Sequence, residues 1–307
     1  MEVVLSLKKL AIAVSLYSLA AGAGHAADIV VSSKIDTEGT LLGNVIALAL
    51  EANGIKTQDR IALGATPVVR KAITAGEIDI YPEYTGNAGF FFNKADDPAW
   101  KNIDKGYAMA KKLDYDANKF VWLTPSPANN TWALAVRNDI AGPKKLKTMS
   151  EFGKWVAGGG AAKLAASAEF VNSAGALPAF QTTYGFTLKP EQKIVLSGGD
   201  TAATIKAAAD QTNGVNTAMV YGTDGAIEAA ELTVLEDDKS VQQVYAPTPI
   251  IREVVLKAHP EIEEILAPIF RSLTAEELRK LNAKIQVDGQ PAKSVAADYL
   301  KQNGFLK

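Results

Sequence analysis

The 307-residue chain has no cysteine and only two histidines. Without cysteine it has no disulfides, no thiol nucleophile and little means of holding structural zinc, so a full hydrophobic core has to stabilise it. His25 falls in the N-terminal segment, and His259 precedes a proline at a predicted helix start. Serine–histidine–aspartate catalysis needs a histidine in the site, so the sequence does not favour it. We expect no metal and no cofactor.

An excess of positive charge is also missing. The formal net charge is −2, and no run of lysine or arginine stands out. A nucleic-acid-binding surface needs clustered basic residues, so we expect no nucleic-acid partner. The composition, 48% apolar and 21% charged, is typical of a globular protein, and the length suits two lobes rather than one core.

Only the N-terminus has a long apolar run. Lys8 and Lys9 precede residues 10–23, and Ala21-Gly22-Ala23 offers small residues for cleavage. The run is about 14 residues, shorter than the roughly 20 that span a bilayer, so we predict a signal peptide over residues 1–26 rather than a membrane anchor. Because no cysteine is available for lipid attachment, we expect the mature chain to be free in the periplasm.

Beyond residue 28, strand and helix patterns alternate. Short apolar strands near residues 29–33 and 58–63 are separated by helices near 41–52 and 67–75, a rhythm typical of a mainly parallel sheet. A smaller set of the same kind follows residue 149. We therefore predict an α/β fold with two lobes, each a mainly parallel sheet with flanking helices, joined by two hinge crossings. Lobe I comprises residues 27–137 and 222–307, and lobe II comprises residues 138–221.

Four aromatic residues stand at strand ends or loop edges close to the predicted hinges: Tyr84, Trp132, Tyr221 and Tyr245. Tyr84 belongs to the segment IDIYPEYTGN, residues 78–87, in which a buried strand is stopped by Pro82. In open α/β sheets, ligands bind outside the carboxyl ends of strands. From composition alone, ordinary core packing would be the easier explanation of such aromatics. Our interpretation is that they form a box for a small organic cation.

Five segments resemble substrate-binding proteins of osmoprotectant ABC importers, which bind glycine betaine, choline and related solutes: SSKIDTEGTLLGN, GEIDIYPEYTGN, NNTWALAVR, MVYGTDGAI and VYAPTPIIR. The resemblance extends from about residue 28 to the C-terminus. It implies a type II periplasmic binding protein, a monomer without catalysis, with an ABC permease as its partner. It also implies a quaternary-ammonium box of Tyr84, Trp132, Tyr221 and Tyr245, in which Trp132 replaces the family's usual tyrosine.

The same resemblance implies a polar side for the ligand. Lys34 would serve a ligand carboxylate, Asn130 would add a carbonyl dipole, and Asn87 replaces the family's usual threonine; Asn172 is a further candidate. However, Gly39 and Ser173 stand where the family commonly has glutamine and arginine. The sequence therefore predicts weaker or different recognition of a carboxylate.

Two alternatives remain open from the sequence. The same fold could bind another zwitterion, such as ectoine or an amino acid. A periplasmic enzyme could use Asp79, Glu83 or Asp224 as acid or base, although the sequence supplies neither a nucleophile nor a metal-ligand set for it.

Overall fold

The computed structural model describes residues 28–196 and 201–306, so the predicted signal peptide lies outside the described residues. Within them the chain forms ten strands: β1 (Ile29–Lys34), β2 (Thr57–Gly64), β3 (Ile80–Tyr84), β4 (Phe120–Trp122), β5 (Trp132–Arg137), β6 (Leu164–Ser167), β7 (Lys193–Leu196), β8 (Thr217–Tyr221), β9 (Leu232–Val234) and β10 (Pro247–Arg252). The α-helices of these residues are α1 (Thr37–Ala52), α2 (Thr66–Ala75), α3 (Asn87–Phe91), α4 (Ile103–Asn118), α5 (Asn138–Lys144), α6 (Met149–Ala157), α7 (Ala168–Asn172), α8 (Leu177–Tyr184), α9 (Thr201–Ala209), α10 (Ala226–Ala229), α11 (Glu253–Ala258), α12 (Glu261–Ser272), α13 (Ala275–Gln286) and α14 (Ala292–Gln302).

The strands form two five-stranded sheets, so the predicted two-lobed α/β fold is confirmed. The first sheet has the order β2-β1-β3-β10-β4, and the second has the order β7-β6-β8-β5-β9. Both sheets are mixed rather than mainly parallel as predicted, because two of the four ladders in each are antiparallel. β1 pairs in parallel with β2 and β3, and β6 does so with β7 and β8. β10 and β5 run antiparallel to both of their neighbours.

Sheet membership differs from the sequence analysis at two strands. β5 and β9 were assigned to lobe I, but both pair within the second sheet. Alternating apolar residues identify a strand without identifying its neighbours, so the sequence analysis assigned both strands from the positions of the predicted hinges alone. We propose that the chain crosses between the sheets just before β5 and returns between β9 and β10, which moves both lobe boundaries.

Each sheet is covered on both faces by apolar side chains. The larger core packs α1 against the first sheet and the C-terminal helices, with Leu42, Val45 and Ile46 fully buried. On the other face of that sheet, Trp100 and Trp122 fill a second cluster. Two further clusters flank the second sheet. The strand ends that face the other lobe are therefore held on rigid layers.

Helix starts at the facing edges are fixed by local chemistry. Asp36 caps α1, because its side chain accepts a hydrogen bond from the Gly39 amide at 2.8 Å. This cap places Glu38 in the first turn of α1, next to the end of β1. No helix of the described residues is long and apolar enough to cross a membrane.

Candidate functional site

A cavity of about 810 Å³ lies between the two sheets and is lined by residues of both. Seven of the eight predicted site residues line it: Lys34, Tyr84, Asn87, Asn130, Trp132, Tyr221 and Tyr245. The eighth, Asn172, does not, because its amide donates to the Ala168 carbonyl within α7 at 2.8 Å. Ser173, at the position where the family commonly has arginine, does line the cavity.

The second sheet supplies an aromatic wall. Trp132 begins β5 and lies directly opposite Tyr221, the last residue of β8. Their ring centroids are 6.4 Å apart and the planes are inclined by 27°, while Phe170 meets the Trp132 ring edge-on at 5.7 Å. Burial raises the pKa of the Tyr221 hydroxyl above 10, so this wall carries no charge of its own at neutral pH.

The other two rings are Tyr84, from β3 of the first sheet, and Tyr245, from the segment between β9 and β10. Tyr84, at the end of β3, is buried, and its hydroxyl donates to Glu38 Oε1 at 2.8 Å. The Tyr245 ring lies against Gly86, where a β-carbon would come within 2.7 Å of Tyr245 Cε1. Glycine is therefore required there for the ring to keep its place. Burial raises the pKa of Tyr245 to about 12.

Lys34 is already engaged within the protein. Its ammonium forms a buried ion pair with Glu83 and lies 4.3 Å from the centre of the Tyr84 ring. Glu83 also accepts hydrogen bonds from the Asn87 amide at 2.7 Å and from the Tyr81 hydroxyl at 3.1 Å. The lysine thus neutralises a fully buried carboxylate and occupies one face of a predicted box residue, which leaves it poorly placed to serve a ligand carboxylate.

Glu38 links several segments at the cavity. Besides Tyr84, its carboxyl accepts from the Asn130 amide at 3.1 Å and the Asn282 amide at 2.9 Å. Asn130 lies in the crossing before β5, and Asn282 belongs to α13. Burial raises the pKa of Glu38, against hydrogen bonds from Thr223, Tyr84 and Asn282 that stabilise the charged form.

Three buried polar atoms of cavity-lining residues lack a hydrogen-bond partner among the described residues: Asn130 Oδ1, Asn282 Oδ1 and Trp132 Nε1. Both amide groups already donate to Glu38, so their oxygens are the free ends. Buried polar atoms are normally paired, and an unpaired group is costly unless a ligand or water meets it. The two amide oxygens are therefore buried acceptors beside the cavity, and the Trp132 indole interacts with the Tyr221 hydroxyl.

The carboxylates considered for an enzyme have structural partners. Asp79 pairs with Arg252 at 2.9 Å, Glu83 pairs with Lys34, and Asp224 accepts from the Tyr221 amide at 2.7 Å. Over residues 28–196 and 201–306, no cluster of histidine, aspartate and glutamate could hold a metal ion.

Sequence reasoning missed Glu38 and Asn282. An acidic residue in the first turn of a helix is readily explained by the helix dipole, so Glu38 gave no separate signal. Asn282 stands within an ordinary surface-type helix pattern, 244 residues away from Glu38, and no local pattern could have paired the two.

Comparisons with known proteins agree with this arrangement. Residues 27–302 match the family described as the substrate-binding domain of the ABC-type glycine betaine transport system. The chain is 56% identical over 282 residues to the glycine betaine-binding protein YehZ of Escherichia coli K12, covering 92% of each chain. It is 29% identical to a glycine-betaine-binding protein of Pseudomonas aeruginosa, covering 94% of this chain and 91% of that protein.

A solved structure of apo YehZ from E. coli superposes with a TM-score of 0.88 over 91% of this chain and all of the other. A glycine betaine/carnitine/choline ABC transporter structure, 21% identical, has a TM-score of 0.80 over 91% of this chain and 100% of that one, which supports the fold. The chain belongs to the family of substrate-binding proteins that work with ABC-type transport systems.

Proposed function

We propose that this member of the glycine betaine transport family binds a quaternary-ammonium solute such as glycine betaine or choline, holds it between the two sheets, and delivers it to a membrane permease. The observation that carries the proposal is the convergence of Trp132, Tyr221, Tyr245 and Tyr84 on one cavity from four separate strand ends and crossings. The names of the relatives support glycine betaine as a ligand.

The chemistry of the rings suits such a solute. A trimethylammonium group has no hydrogen to donate, so polar groups alone select it poorly. Aromatic faces offer it a negative quadrupole and apolar contact together, about 0.5–2 kcal/mol for each face. The Tyr84 face is shared with the Lys34 ammonium, so Trp132, Tyr221 and Tyr245 are the rings that we assign to the ligand.

We also propose that the protein acts in the periplasm as a monomeric receptor without catalytic activity. The hinge-like crossings on either side of the cavity allow lobe closure, and a ligand that contacts both lobes shifts the population towards the closed form. A permease can then distinguish loaded from empty protein by shape.

A thermal-shift panel of glycine betaine, choline, carnitine, ectoine and amino acids tests the proposal. A ligand that binds the native state raises Tm with its concentration. The trimethylammonium compounds should give the shifts, and each should be recovered unchanged after incubation. Shifts only with amino acids or ectoine, or conversion of the ligand, would contradict the proposal.

A further inference from the structure

The carboxyl of Glu38 lines the cavity, and the proposed function does not use it. The residue is 4% exposed. Within the described ranges, no lysine, arginine or histidine forms an ion pair with it. Glu83, buried to the same degree, is neutralised by Lys34. A buried carboxylate that lacks a cation is costly, so burial favours the protonated form of this residue, and the hydrogen bonds from Thr223, Tyr84 and Asn282 oppose that shift.

The hydrogen bonds around Glu38 determine what the neighbouring amides offer to a ligand. Asn130 and Asn282 both direct their NH₂ groups to its carboxyl, at 3.1 and 2.9 Å. The other terminal atom of each amide is therefore the oxygen, which is one of the two unpartnered acceptors described above. An ionised Glu38 and these two buried oxygens can only accept hydrogen bonds.

Acceptors of this kind distinguish the polar group of choline from that of glycine betaine. The hydroxyl of choline can donate to them directly. The carboxylate of glycine betaine has no proton to donate and would face an ionised carboxylate in a low-dielectric site, which is repulsive. If Glu38 is protonated, its hydroxyl becomes a donor and the repulsion disappears.

We propose that Glu38 sets the selection between carboxylate-bearing and hydroxyl-bearing quaternary amines, because a carboxylate ligand binds together with a proton on Glu38 and a hydroxyl ligand binds without one. This rests on the proposed function. The proton comes from solvent, forms an O–H bond on the Glu38 carboxyl, and returns to solvent when the ligand leaves; no other bond forms or breaks.

The other charged and titratable groups around Glu38 favour it as the proton acceptor. Asp36, at the cap of α1, adds a negative charge that raises the pKa of Glu38 further. From β1, Lys34 is held by Glu83, and from β3, the Tyr84 hydroxyl donates a hydrogen bond to Glu38. Beyond Thr223, Asp224 lines the cavity as another negative group.

On the α13 side, Arg279 lies about one turn before Asn282, and its guanidinium donates to the Gly222 carbonyl at 2.8 Å; Lys280, also on this helix, pairs with Glu276. The interactions that shift the pKa of Glu38 come from burial, from Thr223, Tyr84 and Asn282, and from Asp36. None of these side chains carries a positive charge; the positive end of the α1 dipole, in whose first turn Glu38 lies, is the contribution that opposes protonation.

Isothermal titration calorimetry in two buffers of different ionisation enthalpy measures the protons taken up on binding. At pH values above the pKa of Glu38, the wild-type protein should take up as much as about one proton per site when glycine betaine binds, and none when choline binds. The betaine affinity should fall by up to about tenfold per pH unit in that range, while the choline affinity should not fall.

Two variants complete the test. Glu38→Gln should abolish the proton uptake and flatten the pH dependence for betaine. Asp96→Asn removes an exposed carboxylate at the same cavity and should leave both unchanged. Circular dichroism tests whether each variant is folded. If Glu38→Gln does not fold, the number of protons taken up by the wild-type protein still tests the proposal.

The outcomes separate this inference from the proposed function. If betaine and choline both bind wild-type protein with no proton uptake at any pH, or if Glu38→Gln keeps the uptake, the role of Glu38 is refuted and the proposed function stands. If neither compound binds, both are refuted.

Discussion

Trp132 and Tyr221 are direct cross-strand partners, the first residue of β5 opposite the last residue of β8, with their rings stacked at 6.4 Å. Cross-strand aromatic pairs stabilise a sheet by fractions of a kcal/mol to about 1 kcal/mol. Here the pair also forms the end of the second sheet that faces the cavity. The register of one antiparallel ladder therefore determines the position of two ligand-facing rings at once.

Removing either ring should weaken ligand binding without unfolding the protein. Trp132→Ala and Tyr221→Ala each delete one aromatic face, so we expect the affinity for a trimethylammonium ligand to fall by about 2- to 30-fold, the equivalent of roughly 0.5–2 kcal/mol. Calorimetry measures the affinity. Tyr115→Ala, at an exposed tyrosine of α4, serves as the control and should bind normally. Unchanged affinity in both cavity variants would refute the aromatic wall.

The close approach of Gly86 to Tyr245 provides a test that leaves every ring in place. In Gly86→Ala the new β-carbon would lie 2.7–2.9 Å from three ring carbons of Tyr245, so the ring has to move. We expect a stability loss of about 1–3 kcal/mol and a several-fold loss of affinity. Gly142→Ala in α5, where the β-carbon meets no other residue's atoms, is the control and should leave the ligand affinity unchanged. If Gly86→Ala and Gly142→Ala change the ligand affinity equally, the close contact between Gly86 and the Tyr245 ring is contradicted.

The ion pair of Lys34 and Glu83 predicts a stability effect rather than a binding effect. Lys34→Met leaves Glu83 as a buried charge without its partner and should cost about 3–5 kcal/mol in urea unfolding. The double variant Lys34→Met/Glu83→Gln removes that charge and should recover most of the loss. If Lys34→Met instead leaves stability intact and abolishes betaine binding, the lysine serves the ligand carboxylate after all.

The pKa of Glu38 predicts the pH dependence of stability. Because burial raises the folded-state pKa above 4.5, the native state binds more protons than the unfolded state between 4.5 and that raised value. The stabilising contribution of the protonated group is thus complete below 4.5 and is lost as pH rises through the folded-state pKa. Glu38→Gln does not titrate, so the Tm difference, wild type minus variant, should decrease with rising pH. A constant or increasing difference would contradict this sign.

The sequence predicted the parts of the site that depend on local pattern. Tyr84, Trp132 and Tyr221 each end or begin a strand that is readable from its own residues, and strand ends are where α/β proteins place ligands. The α/β class followed from the alternation of elements in the same way. Family motifs then selected these aromatics from the chain's other tyrosines and tryptophans.

The sequence could not predict contacts that depend on distant partners. Lys34 looked available to a ligand because Glu83, 49 residues away, is brought to it only by the pairing of β1 with β3. The assignment of β5 to the second sheet likewise depends on β8 and β9, which follow much later in the chain. Asn172 was chosen by its position next to Ser173, and the turn of α7 directs its amide to the helix backbone instead.

The most direct test of the cation site compares choline and glycine betaine with analogues in which carbon replaces the quaternary nitrogen. Shape, methyl groups and the remaining polar end are kept, and only the positive charge is lost. Calorimetry should show at least about tenfold weaker binding for the carbon analogues, because the cation–π contacts with Trp132, Tyr221 and Tyr245 are removed, each about 0.5 kcal/mol or more. Equal affinity for a charged ligand and its neutral-headed counterpart would contradict the account.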